Sequence, residues 1–594
     1  MHSGHSRPDA RLALLLGALG LLSVILAIVG WMNVSEPAPV HRPAEAQSKP
    51  ADSRPIALSD AVYRGLKTFE MGEAYDEATE KFRDQKGWLL LQLARFLGAV
   101  VALVALAGIG LKLFGETWLT LRACQRRNHI IVIGDTPFAD SLCKASARPI
   151  THLRAQNEAC ATHGQTIRLP MPEHSLQALR DVAAHRASQI VIATRFDDTA
   201  LELALALATR PEYKIAQISV RFTDTWLAKR VHQLPGAATL QAFSEPDLAA
   251  REIVRRHPPY LLAHDYGQSR IHALLIGDPD WLEAIMGEII LSACTLTYAR
   301  PAFTFVCENS ATLAARLRQR YPEIDLAAEL TFLTAALHEG VTPGHEVFES
   351  LPVTAVYVAM KDRAGVLSTA LTFMETARKV PDFAAPVFVL ACEGLELPRP
   401  AAGSALSALT LVPFGILEDL TLAAGVMSHE ADLAEKEYHA AYREFAPQGS
   451  EANKPWSELK EEYRISNRRA VAHIYAKLFE AGFDLGSWMT RNDVWAKLPE
   501  LATKEPLWRD AAEYRRLAEL EHERWIADRR LSGWSYGPVR DNARKIHPDI
   551  KPFDALTEEV QGYDMRFIDL LAKILKSTDD GMTRYEPTIA PLVD

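Results

Sequence analysis

The chain has 594 residues, of which 48% are apolar and 24% charged, and its formal net charge is −10. That length exceeds a single hydrophobic core and fits roughly three or four domains, while the composition excludes a disordered chain. The acidic balance gives no support to bulk nucleic-acid binding, so no nucleic-acid partner is expected.

Leu12 to Met32 reads LALLLGALGLLSVILAIVGWM, without a charge. At a rise of about 1.5 Å per residue the run covers the ~30 Å hydrocarbon core of a bilayer. The rival reading is a cleaved signal peptide, whose apolar region would be unusually long and for which no small-x-small cleavage site follows. A second apolar run, WLLLQLARFLGAVVALVALAGIGLKLF, covers Trp88 to Phe114. Its Arg95 lies near the start, where a long side chain can snorkel or face a partner helix. Gly98 and Ala102 form a small-xxx-small pair, which permits close packing and a homo-oligomer, although small residues are common in membrane helices anyway. Arg7 and Arg11 precede the first run, and Arg122, Arg126 and Arg127 follow the second. Positive-inside logic then places both termini in the cytosol, and the expected location is a bacterial inner membrane. Between the runs lie a proline-rich piece, SEPAPVHRPAEAQSKPADSRP, and an expected amphipathic helix, LSDAVYRGLKTFEMGEAYDEATEKF. No carbonyl filter of the TVGYG kind is present there, so a pore would need the second helix of several subunits as its lining.

HIIVIGDTPFADSLCKAS, from His129, is an apolar strand, a glycine turn and a helical pattern; it recurs as HALLIGDPDWLEAIMGEI from His272. After each copy, β-type runs alternate with helical ones, which predicts two consecutive α/β domains with parallel sheets. The segments HIIVIGD, IVIATRFDDTALELALALA, ISVRFTDTWLAKRV and QAFSEPDLAAREIVRRHPP make the first copy resemble the regulator of potassium conductance domain, or TrkA N-terminal domain, over about His129 to Pro259. The second copy matches in outline. The resemblance implies a Rossmann-type fold and potassium-linked transport.

Dinucleotide binding asks for G-x-G-x-x-G, whose glycines let backbone N–H groups approach a pyrophosphate at a helix N-terminus. The first copy keeps Gly134 and the tolerated Ala139, but Thr136 replaces the middle glycine and Asp135 brings a carboxylate to the phosphate position. Arg154 stands where an acid would hold the ribose, which leaves a phosphorylated ligand open. The second copy has Gly277, then Asp278, Pro279 and Leu282, and keeps Glu308 after its second strand. Gly134, Thr136, Arg154, Gly277 and Glu308 are therefore the candidate nucleotide contacts. The scaffold reading outweighs them in both copies: NAD(P) is not expected, and hydride transfer finds no donor site or catalytic pair. The six cysteines (124, 143, 160, 294, 307 and 392) have no C-x-x-C pair, so they form neither a disulfide framework nor a zinc cluster.

From about Leu417 the period becomes helical, with APQGSEANKP as a linker. PWSEL, SNRRAVAH, LEHERW, GWSYGPVRD, KIHPDIKPFDAL and Tyr563–Asp564 make the unit from about Pro455 to Lys576 resemble the RyR domain, the repeat named from ryanodine receptors. The resemblance implies a recognition or regulatory module. Its polar strip, LEHERWIADRRLSGWSYGPVRD, offers half of H-E-x-x-H, but Ile526 stands where the second zinc ligand would be. Glu521 and Glu523 diverge on a helix, which is poor geometry for paired-carboxylate hydrolysis. Binding is the remaining chemistry: Trp525, Trp534 and Tyr536 offer flat faces, and Arg524, Arg529, Arg530 and Arg540 offer forked donors for phosphate or carboxylate. Asn467, Arg468, His522 and Asp541 complete the candidate ligand set. Against it stands a purely structural role, with Trp525 and Trp534 as core.

The expected fold is a membrane-anchored multidomain chain with two transmembrane helices, two α/β Rossmann-like domains and a mainly helical RyR domain. Its boundaries are an N-tail and first span (1–34), a loop (35–87), a second span (88–114), α/β domains (115–262 and 263–416), a helical connector (417–454) and the RyR domain with its tail (455–594). The expected function is a ligand-responsive, channel-like membrane sensor answering a small phosphorylated or nucleotide-derived signal, and not an enzyme. The alternatives are a non-conducting scaffold whose RyR domain docks a protein and, more weakly, a nicotinamide-dependent oxidoreductase.

Overall fold

The computed structural model describes residues 8–37, 53–66, 82–154, 161–171, 176–213, 217–337, 352–361, 363–391, 406, 408–423, 433–444, 449, 451–492 and 501–585. It separates into two units, residues 1–122 and 123–594.

In the first unit the apolar runs become helices Pro8–Met32 and Trp88–Cys124. Small residues set how closely they approach. A Cβ on Gly30 would meet Leu91 Cδ2 at 2.8 Å, and one on Gly87 would meet the Gly30 carbonyl oxygen at 2.2 Å. The buried Ser23 hydroxyl donates across the pair to the Ala94 carbonyl at 2.8 Å, which satisfies a polar group in an apolar setting. Trp31, Val34, Ala61, Phe82 and Leu91 make a small core at one end, beside the antiparallel pair β1 (Ser35–Pro37) and β2 (Ser53–Pro55). Leu21, Ile25, Leu93, Phe96 and Leu103 are exposed on the outer faces. Among the described residues one window, Trp88–Ala105 with mean hydropathy 2.0, is long and apolar enough to cross a bilayer. The first helix has described side chains only from residue 18, where its apolar part is Ala18–Met32. Of the expected amphipathic helix, Leu58–Leu66 is helical; its later part and most of the proline-rich piece lie outside the described residues.

The second unit opens with β3 (Ile130–Ile133), whose four β-branched residues are all buried. It is followed by β4 (Ile150–Arg154), β5 (Ala161–His163), β6 (Thr166–Pro170), β7 (Gln189–Ile192), β8 (Gln217–Phe222) and β9 (Gln241–Ser244). Their order is β5-β6-β4-β3-β7-β8-β9, parallel except for the edge strand β5. The second copy supplies β10 (Arg270–Gly277), β11 (Ala299–Cys307), β12 (Glu329–Thr334), β13 (Ala355–Ala359), β14 (Val387–Leu390) and β15 (Leu411–Phe414). These run parallel in the order β12-β11-β10-β13-β14-β15. With β5 set aside, both sheets read third, second, first, fourth, fifth, sixth, the doubly wound order with its reversal between the first and fourth strands. The duplication seen in the sequence is thus a duplication of topology.

Helix Glu245–Arg256 joins the copies by packing on helix Pro279–Ser292. It starts at Ser244, whose Oγ accepts the Asp247 N–H at 3.3 Å and donates to the Asp247 carboxylate at 2.7 Å, a reciprocal cap. One buried apolar cluster runs from Ile130 through both copies into the C-terminal helices. There, helix Ala511–Leu531 begins at Asp510, which accepts the Glu513 N–H at 2.9 Å. The helix stops before Gly533, whose φ of +81° ends it. Helices Glu461–Ala472, Ile474–Glu480 and Glu558–Ile574 surround it. Short parallel pairings, β16 (Ala502–Thr503) with β19 (Lys576–Ser577) and β17 (Ser535–Tyr536) with β18 (Ile546–His547), brace the turns.

Candidate ligand site in the C-terminal module

The strip helix Ala511–Leu531 divides its charges between two environments. Facing inward, Glu521 accepts from Arg524 Nε at 3.0 Å, Arg524 Nη2 at 2.6 Å and Lys477 Nζ at 2.8 Å. Lys477 is fully buried and Arg524 nearly so. Lys477 also lies 2.9 Å from His473 Nδ1, while His473 Nε2 meets the Cys294 carbonyl at 2.8 Å. The carbonyl fixes the tautomer with the proton on Nε2, leaving Nδ1 to accept from the ammonium. Burial and the neighbouring Lys477 charge hold His473 well below its usual range, so it stays neutral. One turn on, Asp528 receives Arg469 and the Ser466 hydroxyl. This ladder lies inside the module, and it consumes Arg524, expected among the ligand donors.

On the other side the rings gather. The His522 imidazole stacks on Trp525 at 5.6 Å between centroids. His547 meets Trp525 edge-on at 5.1 Å and Trp534 at 6.0 Å. The Arg529 guanidinium lies over both indoles, 5.3 Å from Trp525 and 5.8 Å from Trp534. It makes no side-chain hydrogen bond or ion pair with the described residues, and its Nε is buried without an acceptor. Burial lowers its pKa, against the pull of Asp528. Both nitrogens of His522 face acceptors, the Asp564 carboxylate at 3.2 Å and the Lys551 carbonyl at 2.9 Å. Burial alone would lower this imidazole, but Asp564 outweighs it and the net shift is upward. Because the folded value is raised, the stabilisation is fully present below the ordinary imidazole value of about 6.5 and is lost as pH rises through the folded value. Accordingly, the module should melt lower as pH is raised across that window. His522→Gln should remove that part of the slope, and differential scanning fluorimetry at matched ionic strength checks it.

The other expected residues are spread out. Asn467 contacts His439 Nδ1 at 3.2 Å, and Arg468 pairs with Glu461 at 2.5 Å. Asp541 accepts the N–H groups of Ala543 and Arg544 at 3.0 Å each, shaping the turn that carries Arg540. Arg540 is exposed and touches Asn542 at 2.9 Å. Tyr536 is 54% exposed, and its N–H donates to Glu323 at 3.0 Å. Arg530 reaches the same carboxylate at 3.1 Å, so the strip is docked on the second α/β copy. Lys477, His547 and Asp564 were missing from the expected set. A lysine and a histidine on otherwise apolar helix faces were the available signals for Lys477 and His473.

The glycine turns of the α/β copies have a different geometry. Gly134, at φ +128°, is so close to the fourth strand's end that a Cβ would lie 2.2 Å from the Ala193 carbonyl oxygen. Thr136 Oγ1 donates to that same oxygen at 2.9 Å and accepts the Ala139 N–H at 3.3 Å. The threonine thus caps its own helix where a pyrophosphate would sit. Arg154 Nη1 is 3.2 Å from Asp140 Oδ1, which Arg168 shares at 3.4 Å. In the second copy Gly277 makes the equivalent approach to Ala359, and Asp278 Oδ2 accepts the Lys361 N–H at 2.6 Å. Glu308 is exposed in the turn after β11. These residues do not fit a dinucleotide: the cap is filled from within, and carboxylates stand at the phosphate positions.

Two comparisons bear on these parts. Three solved structures are similar in outline. A crystal structure of GsuK bound to ADP shares 12% identity over 71% of this chain and 97% of that one, at a TM-score of 0.34. A GsuK channel bound to NAD shares 11% over 72% and 83%, at 0.29. The human SLO3 gating ring shares 10% over 52% and 84%, at 0.34. The family profile described as RyR domain matches residues 509–579. That match spans the strip helix, the Trp534–His547 turns and helix Glu558–Ile574, so the ring cluster lies within an RyR domain.

Proposed function

We propose that the chain is a membrane-anchored, ligand-responsive regulator whose RyR domain receives a small anionic ligand with a flat ring. The observation that carries this reading is Arg529, a cation laid over two indole faces that makes no hydrogen bond or ion pair with the described residues, Asp528 acting on it only through space. An aromatic ring stacked on an indole contributes about 1–3 kcal/mol, and a guanidinium supplies a forked grip on phosphate or carboxylate. The docking of the strip on Glu323 supports a route for occupancy to reach the α/β frame. A ligand shifts that frame only as far as it prefers one arrangement. Val539 and Tyr536, exposed beside the cluster, favour a second reading in which this edge docks a protein.

The test is a thermal-shift screen of the full-length protein in detergent against nucleotides and other phosphorylated ring compounds. A shift is expected that Trp534→Leu and Arg529→Gln each reduce at least tenfold in apparent affinity. If no such compound moves the melt, or both variants respond like the parent, the receptor reading falls and the docking one gains. Flux from liposomes carrying the full chain, with and without the responding compound, then separates a conducting device from a scaffold.

A further inference from the structure

Next to the ring cluster, the two α/β copies and the C-terminal module meet around Gly533. A Cβ built there would find Arg230 Nη2 at 3.4 Å, the Arg320 carbonyl oxygen at 3.8 Å and Lys545 Cδ at 4.0 Å. Residues of all three parts therefore border this half-buried glycine, Arg230 and Arg320 from the α/β copies and Lys545 from the C-terminal module. On the α/β side, Trp226 carries two guanidiniums, Arg230 at 4.2 Å and Arg320 at 4.6 Å from the ring centroid. Arg320 is answered by Glu283 at 2.7 Å. Arg230 makes no hydrogen bond or ion pair with any described residue. On the module side, Lys545 has only a neutral partner, the Ser532 carbonyl at 2.8 Å. His232, one residue beyond Val231, is brought down to about 4 by burial and by the Lys545 and Arg230 charges, so it is neutral there. Arg469 nearby is already taken by Asp528.

Half-buried cations without counter-charge repel one another at a cost that an anion between them would remove. Burial and then Arg230 bring Lys545 down to about 8, and burial, with a smaller push from Arg320, lowers Arg230 against the pull of Tyr321. Glu462 is the one acid that acts on Lys545, and it is exposed. Gly533 directly precedes Trp534 of the ring cluster in the chain.

We infer that this junction is a subsite for a di- or triphosphate group, held by Arg230 of the first α/β copy and Lys545 of the RyR domain. As the phosphate end of the ligand taken by the ring cluster, it rests on the receptor reading. As an anion site it stands on its own residues. A ligand gripped from both sides would lock the RyR domain to the first α/β copy, which a ligand of the ring cluster alone would not do.

The experiment measures binding of inorganic tripolyphosphate and, separately, of a nucleoside triphosphate to full-length protein in detergent, by calorimetry at fixed ionic strength. Tripolyphosphate should bind the parent, at least tenfold more weakly to Arg230→Gln and to Lys545→Met, and unchanged to Trp534→Leu. Arg230→Lys, which keeps the charge but loses the fork, should fall in between. The nucleotide should lose affinity in all these variants. Absence of tripolyphosphate binding, or binding by Arg230→Gln and Lys545→Met equal to the parent's, overturns the subsite while leaving the ring cluster standing if Trp534→Leu still lowers nucleotide binding. Tripolyphosphate binding with the expected losses, but no nucleotide binding, keeps the subsite and sinks the ring-cluster reading.

Discussion

Exchanging Glu521 for glutamine is expected to lower the melting temperature of the C-terminal module by roughly 10 °C, from a loss of about 3–5 kcal/mol. The substitution keeps the shape of the side chain and removes only its charge. In the native ladder that carboxylate receives three donors, two from Arg524 and one from Lys477. Burial would raise its pKa, but the Arg524 and Lys477 charges overcome this and hold it below the usual range. A glutamine offers one oxygen to three donors and turns an N–H₂ group toward a buried cation. Lys477 and Arg524 are then left as uncompensated charges, which is the expensive outcome for a buried pair. The complementary variant separates charge loss from shape. Replacing Lys477, Glu521 and Arg524 together by Met, Leu and Met removes all three charges and should recover most of the stability, because apolar replacement of a whole buried ion group is close to neutral. Equal melts for parent and Glu521→Gln would show that the ladder is open to water. The same depressed value gives a pH signature: this stabilisation is present above about pH 4.5 and is lost as pH falls through the folded value.

The difference between what the sequence shows and what it hides follows the length scale of each interaction. β3 and β13 were legible because buried parallel strands read as unbroken apolar runs, and all their residues are buried. β12 was missed: its residues are exposed or half-buried, with no apolar run to announce it. β15 was missed because Pro413 sits inside it, and proline argues against a strand except at an edge, which is where β15 lies. In the strip, residue types and spacing were readable, but assignment of the arginines was not. Arg524 is decided by Lys477 and Glu521 together, and Arg530 by Glu323, two hundred residues away in the chain. Arg529 became the informative one because it lies over two rings while the adjacent Asp528 is paired with Arg469 instead. The RyR resemblance located the module, and the match at 509–579 covers the strip, while the expected start at Pro455 lies ahead of it.

Gly277→Ala is expected to cost about 4 kcal/mol or more and to leave the protein largely unrecoverable in folded form. The added Cβ would sit 2.0 Å from the Ala359 carbonyl oxygen and 2.6 Å from its carbon. Both are backbone atoms at the end of β13, in register with Gly277 itself, so relief requires parting the first and fourth strands at the centre of the sheet. The φ of +137° adds strain of its own, because L side chains rarely adopt it. Gly134→Ala repeats the situation against Ala193, at 2.2 Å, and the same collapse is expected. Gly267 is the control: its φ is +63° and nothing lies within 4 Å of a built Cβ, so its alanine variant should lose only about 1–2 kcal/mol. These glycines are the residues by which each copy looks like a nucleotide fold. If their purpose were to admit a pyrophosphate, alanine would weaken ligand binding and leave the melt nearly unchanged. The close approach predicts the reverse order of effects: the fold fails first, because the glycine is the space through which the first strand's turn reaches the fourth. Expression yield and melting temperature of the three variants, measured side by side, decide between the two. A Gly277→Ala protein that melts with the parent would reopen the turn as a ligand site.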